Sequence, residues 1–83
     1  MKYSYPAVLE INKDDAECFD VKIPDIYGAE TMGVGETDAI EKAQDLLVEM
    51  LLVNANACGE PRSYEETLKA FPTKKVVMIE VEF

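Results

Sequence analysis

Residues 2–23 read KYSYPAVLEINKDDAECFDVKI, and the spacing of their apolar side chains decides the architecture. Tyr3, Tyr5, Ala7, Leu9 and Ile11 fall on alternate positions, the period of a strand with one buried face. The pattern predicts a first strand over about Lys2 to Asn12. Asn12-Lys13-Asp14-Asp15 supplies a polar turn, after which Phe19, Val21 and Ile23 resume the alternation with Cys18, Asp20 and Lys22 opposite. Two such runs joined by a short polar segment predict an antiparallel hairpin. Pro24 cannot donate to a ladder, so it closes the second strand. Asp25-Ile26-Tyr27-Gly28 is turn chemistry, because Asp bonds its own backbone and Gly accepts positive φ. A short third strand follows, about Ala29 to Met32, and ends at Gly33-Val34-Gly35.

Beyond Gly35 the period changes from two to that of a helix. Ala39, Ile40, Ala43, Leu47, Met50 and Leu51 form one apolar face. Gly35 is an acceptable N-cap, and Glu36 and Asp38 set negative charge on the positive end of the helix dipole. Asp38 and Lys42 are spaced as a favourable i, i+4 pair. Asn54 to Gly59 reads as the frayed end, with Gly59 as the stop. After Pro61-Arg62, Ser63 and Glu66 fit a capping box, predicting a short helix over Tyr64 to Ala70 that Tyr64, Leu68 and Phe71 pin to the core. Pro72 ends it. A last strand runs from Lys75 to Phe83, with Val77, Ile79, Val81 and Phe83 inward and Glu80 and Glu82 outward. The fold class is therefore α+β: a β-β-β-α-β single antiparallel sheet with one long helix packed on one face. The last strand is expected beside the first, because both carry the long alternation of central strands.

Composition limits what such a fold can do. The chain has 83 residues, 48% hydrophobic and 30% charged, which fits one small globular domain, residues 1–83, and no deep multi-lobed site. Seventeen Asp and Glu against eight Lys and Arg give a net charge of −9. That surface repels phosphate backbones, so no direct nucleic acid binding is expected, and a basic protein is the natural complement. No histidine is present, which excludes Ser-His-Asp and Cys-His catalysis and histidine zinc ligands. Cys18 and Cys58 are too few for a zinc cluster. No signal peptide opens the chain and nothing approaches a membrane span, so both cysteines are expected reduced in the cytoplasm. No cofactor and no metal site are expected.

Three stretches, in this order and spacing, resemble the HicB-type antitoxins of bacterial toxin–antitoxin pairs. Tyr5-Pro6-Ala7-Val8 is similar to the family's opening strand. Ile23-Pro24-Asp25-Ile26-Tyr27-Gly28, then Thr31-Met32-Gly33, is similar to its Phe-Pro-Asp-Leu-Pro-Gly turn and Thr-x-Gly strand end. Ala39-Ile40, Ala43 and Leu47 fall at its helix positions, and Pro61-x-Ser63 is similar to its Pro-Ser segment. Tyr27 departs from a frequent second Pro, and Gly35 from a frequent polar cap. The resemblance implies a partial RNase H-like fold that binds and masks a small basic RNA-cleaving toxin, HicA. It also implies a homo-oligomer, dimeric or higher. Many members continue into a C-terminal DNA-binding domain; with the last strand at Phe83, none is expected here. The alternative is a stand-alone oligomerisation or structural module without a toxin partner.

Each candidate site has two readings. Glu41, Asp45 and Glu49, four apart on the long helix, are either a solvated face or part of a landing surface for a cationic toxin. Leu46, Val48, Leu52 and Val53 broaden that helix's apolar surface, either as core under the short helix or, for Leu46, Leu52 and Val53, as a self-association face. Pro24, Asp25, Gly28 and Gly33 are structural turn residues. Glu10 on the first strand and Glu80 or Glu82 on the last are the candidate carboxylates for a metal nuclease site; solvated edges are the simpler reading, and no enzyme is expected. By segment, residues 1–35 carry 3 basic and 7 acidic groups, 36–60 carry 1 and 6, and 61–83 carry 4 and 4. The excess is heaviest on the long helix and its surroundings.

Overall fold

A computed structural model describes residues 2–54 and 60–82. Its elements follow the order β1 (Lys2–Ile11), β2 (Cys18–Lys22), β3 (Glu30–Val34), α1 (Glu36–Asn54), α2 (Tyr64–Ala70) and β4 (Lys75–Glu82). The strands form one antiparallel sheet ordered β3-β2-β1-β4, so the last strand does lie beside the first. Their pairing runs from Lys2 opposite Glu82 to Leu9 opposite Lys75. β2 joins β1 only from Val8 to Ile11. Pro6 therefore stands where β1 has one neighbour, which is how a proline fits an inner strand. The expected helix stop at Gly59, Cys58 and the inward Phe83 lie outside the described residues.

One sheet face carries α1. Ala39, Ala43 and Leu47 are fully buried against Tyr5, Leu9, Val21, Ile23 and Ile79, as the helical period predicts. Truncating a side chain such as Leu47 to Ala typically costs about 2–5 kcal/mol. Small residues bring the helix close. Gly33 lies within β3, not at a turn as expected, and a Cβ placed on it would meet Ala39 N at 2.4 Å and Ala39 Cα at 2.5 Å. Its missing side chain is the space that the first turn of α1 occupies. Asp38, expected to pair with Lys42, instead accepts the Val34 N–H at 2.9 Å, because the β3–α1 junction presents that donor directly above the helix start. Ile11, expected inward, is exposed, since it lies at the far end of β1.

The opposite face is also partly covered. Pro6, Val8 and Val76 point away from α1 yet are buried. α2 packs on β4, and its Thr67 is completely buried. The capping box at Ser63 and Glu66 forms as expected, with the Thr67 hydroxyl donating to the Ser63 carbonyl at 3.0 Å. Tyr64 and Leu68 do not pin this helix; both remain exposed, and Phe71 is half-buried. A seven-residue helix shows the sheet too narrow a face to bury three large side chains, and the small Thr67 takes the contact. Four strands with a long helix on one face are compatible with the partial RNase H-like expectation.

Candidate interaction surface

The β2–β3 connection is two successive turns. Ile26 N–H bonds the Ile23 carbonyl at 3.1 Å across Pro24-Asp25, and Ala29 N–H bonds the Ile26 carbonyl at 3.2 Å across Tyr27-Gly28. Gly28 holds φ +78°, the left-handed value that the third position of a type II turn requires. Ile23 N–H closes the base on the Ala29 carbonyl at 2.9 Å. This leaves Tyr27 at the tip, fully exposed. Asp25 turns inward, its side chain only 7% exposed. Its carboxylate accepts from Arg62 N–H at 2.9 Å and Arg62 Nε–H at 2.7 Å, and this bond and charge raise the guanidinium pKa. Asp25 is thus more than a turn former: it anchors the entry to α2. Sequence reasoning missed the pair, whose members stand 37 residues apart with no shared motif.

The three stripe carboxylates are placed together. Glu41, Asp45 and Glu49 are all exposed on the outward side of α1, whose single basic residue is Lys42. Among the described residues none of the three enters an ion pair; the pairs are Arg62–Asp25, Lys74–Glu10 and Lys75–Glu36. The proposed self-association set is divided. Leu46 is half-buried and packs on the core, as does Val48, whereas Leu52 and Val53 are 70% and 79% exposed.

The strand carboxylates are not gathered. Glu80 stands opposite Ser4 and Glu82 opposite Lys2, while Glu10 stands opposite Asp20 and pairs with Lys74. Six residues of strand separate Ser4 from Glu10, about 20 Å at the strand rise, too far to share an ion. Among the described residues no group of three or more metal-ligating side chains is placed to hold a metal. Cys18 is buried and its thiol lies 3.4 Å from Asp15 Oδ2. Burial, then the Asp15 bond and the charges of Asp15, Glu17 and Asp20, push that thiol's pKa up, the reverse of what a nucleophile needs. No described helix is long and apolar enough to cross a membrane.

No protein-family model and no curated protein matches the chain. Solved structures do. The N-terminal domain of the Burkholderia pseudomallei antitoxin HicB superposes at a TM-score of 0.71 with 23% identity, over 98% of this chain and 100% of that domain. A chain of a toxin–antitoxin complex from Streptococcus pneumoniae gives 0.75 with 19% identity, over 99% of this chain and 70% of that one. The Burkholderia pseudomallei antitoxin HicB itself gives 0.73 with 20% identity, over 95% of this chain and 62% of the antitoxin. The fold is that of the HicB N-terminal domain.

Proposed function

We propose that this chain is an antitoxin that binds and masks a small basic toxin of the RNA-cleaving HicA type, without chemistry of its own. The observation that carries the reading is the fold shared end to end with the HicB N-terminal domain and over 70% of a chain of a toxin–antitoxin complex. The charge supports it independently. A net −9 with Glu41, Asp45 and Glu49 exposed on α1 and without an ion pair among the described residues suits a cationic protein and opposes nucleic acid. Exposed apolar side chains supply the rest of the contact, with Tyr27 on its rigid turn the best-formed anchor. A reducing, cytoplasmic setting fits the free thiol of Cys18.

The test is to co-express the chain with a small basic toxin encoded beside its gene. Toxin activity on RNA should fall as the chain is titrated in, with affinity declining as salt rises. Asp45→Lys should weaken binding at low salt and have less effect at high salt. Indifference to both would return the stripe to a solvated face. If no small basic protein binds, the oligomerisation-module reading takes its place; the open outer edge of β4 favours that second reading.

A further inference from the structure

We propose that the outer edge of β4 receives an extended segment of the cationic partner, which adds a strand to the four-stranded sheet. The partner's identity rests on the antitoxin reading; the place and form of the contact rest on the sheet alone. Asn12 N–H donates to the Cys18 carbonyl at 2.9 Å, so the even residues of β1 turn their backbone groups toward β2 and the odd ones toward β4. Pro6, with no N–H to give, is accordingly even, and it stands opposite Met78. β4 therefore bonds β1 through Lys75, Val77, Ile79 and Val81, and directs the N–H and C=O of Val76, Met78, Glu80 and Glu82 outward. The other edge is different: on β3 the outward Val34 N–H is taken by the Asp38 carboxylate at 2.9 Å. Among the described residues no side chain takes an outward N–H of β4, an eight-residue strand with no proline inside it. Gln44 of α1 reaches the Glu80 carbonyl at 3.4 Å, as an outward carbonyl allows, and leaves its second lone pair free.

Charge selects the occupant. The lysines at the start of β4 are already engaged, Lys74 with Glu10 and Lys75 with Glu36. Further along, Glu80 and Glu82 are exposed on one sheet face, and Glu41 is exposed one helical turn before Gln44. None of these three carboxylates forms an ion pair among the described residues. Lys2 stands across from Glu82 and offsets only that one. The edge thus has no free lysine to answer a second acidic strand, whereas a basic strand meets open carboxylates. An antiparallel strand sets a residue directly opposite each outward-facing one, on the same side of the sheet. Opposite Glu82 and Glu80 that residue is Lys or Arg; opposite Met78, 40% exposed, it is apolar. The occupant therefore reads, from its N-terminus, basic-x-basic-x-apolar. Its intervening side chains turn to the α1 side, where Gln44, Val48 and Leu52 succeed one another at helical spacing.

The probe is the end-blocked peptide Thr-Lys-Thr-Lys-Thr-Val-Thr, with Thr-Glu-Thr-Glu-Thr-Val-Thr as its control, each titrated into the full chain. Amide exchange and amide chemical shifts should show Val76, Met78, Glu80 and Glu82 protected by the lysine peptide alone, less so as salt rises. Met78→Pro removes an outward N–H and leaves the β1–β4 bonds in place, and Glu80→Lys reverses the charge. Each should weaken the lysine peptide and the toxin by about tenfold at low salt, with wild-type circular dichroism. Equal binding of the two peptides, a response confined to another surface, or protection of these amides on concentrating the chain alone would overturn the proposal. So would toxin binding unchanged in both variants, an outcome that leaves the antitoxin reading standing. A chain that takes the lysine peptide on this edge but binds no basic toxin keeps the edge as a docking site for a cationic strand and refutes the antitoxin reading.

Discussion

Gly33→Ala tests how closely α1 is seated on the sheet. The added Cβ would sit 2.4 Å from Ala39 N, 2.5 Å from Ala39 Cα and 2.8 Å from the Asp38 carbonyl carbon. All three are backbone atoms, so no side chain can swing aside. Restoring an ordinary contact near 3.5 Å requires the first turn of α1 to retreat by about 1 Å. That shift would loosen the Val34–Asp38 bond and the packing of Ala39 and Ala43. Overpacking of this kind costs about 3 kcal/mol or somewhat more, against a total of about 4–12 kcal/mol for a chain of this size. Urea titration followed by far-UV circular dichroism reads it as a midpoint lower by about 2–3 M, with a slope near 1 kcal/mol/M. Gly28→Ala is the control. Nothing lies within 4 Å of its Cβ position, so its cost is the left-handed φ alone, about 1–2 kcal/mol. Gly28→Asn should recover part of that loss, whereas no side chain can rescue position 33. A Gly33→Ala variant that unfolds within about 0.5 kcal/mol of the wild type, or a Gly28→Ala variant that is the more damaged of the two, would refute this close seating of α1.

Asp25→Ala leaves the Arg62 N–H and guanidinium without their acceptor; with Arg62 41% exposed, the expected loss is about 1–2 kcal/mol. Hydrogen exchange should show it as faster exchange in α2 while β2 is unchanged. Ser63→Ala removes the cap on Glu66 N–H and should cost about 1 kcal/mol, read as a lower urea midpoint. Cys18 should react slowly with thiol reagents in the native protein, and Asp15→Asn should speed it, as followed at that peptide by mass spectrometry. Because the folded thiol's pKa is raised, the native state keeps its proton longer than the unfolded chain does. Stability should therefore fall as pH rises through the ordinary thiol range near about 8.5, and Cys18→Ala should remove that fall.

What was legible in the sequence follows from how far each signal reaches. α1 and the alternating faces of β1, β2 and β4 depend on neighbours within one or two turns, and they stand where periodicity puts them, apart from Ile11 at the exposed end of β1. The capping box of α2 is equally local. The second covered face gives only a weak local signal, although residues 5–9 are buried without interruption. Such a run belongs to a strand covered on both sides, but the odd positions alone already satisfied a one-faced pattern. Hence alternation alone turns Pro6 and Val8 outward, whereas both are buried on the sheet side where α2 packs on β4. Thr67 carries no signal for a related reason: hydrophobicity favours Tyr64 and Leu68, whereas the narrow gap under a short helix favours a small side chain whose hydroxyl is satisfied within the helix. Proximity to proline and glycine suggests turns at Asp25 and Gly33. Their actual partners, Arg62 and Ala39, are fixed by tertiary packing.

The ion pairs explain where the acidic excess ends up. Residues 61–83 are neutral as a segment, with 4 basic and 4 acidic groups, yet three of those basic groups spend their charge elsewhere. Arg62 goes to Asp25, Lys74 to Glu10 and Lys75 to Glu36. Each pair ties a late element to an early one: the entry of α2 to the β2–β3 turn, the segment before β4 to the end of β1, and the start of β4 to the start of α1. None reaches the outer side of α1 beyond its first turn. Partly exposed pairs of this kind contribute little stability singly, so their larger consequence is for the field. They neutralise the junctions and leave Glu41, Asp45 and Glu49 as a stripe unpaired among the described residues, on a helix held by a buried face. A cationic partner would meet there carboxylates whose scaffold is already ordered, so little further ordering of the backbone opposes binding.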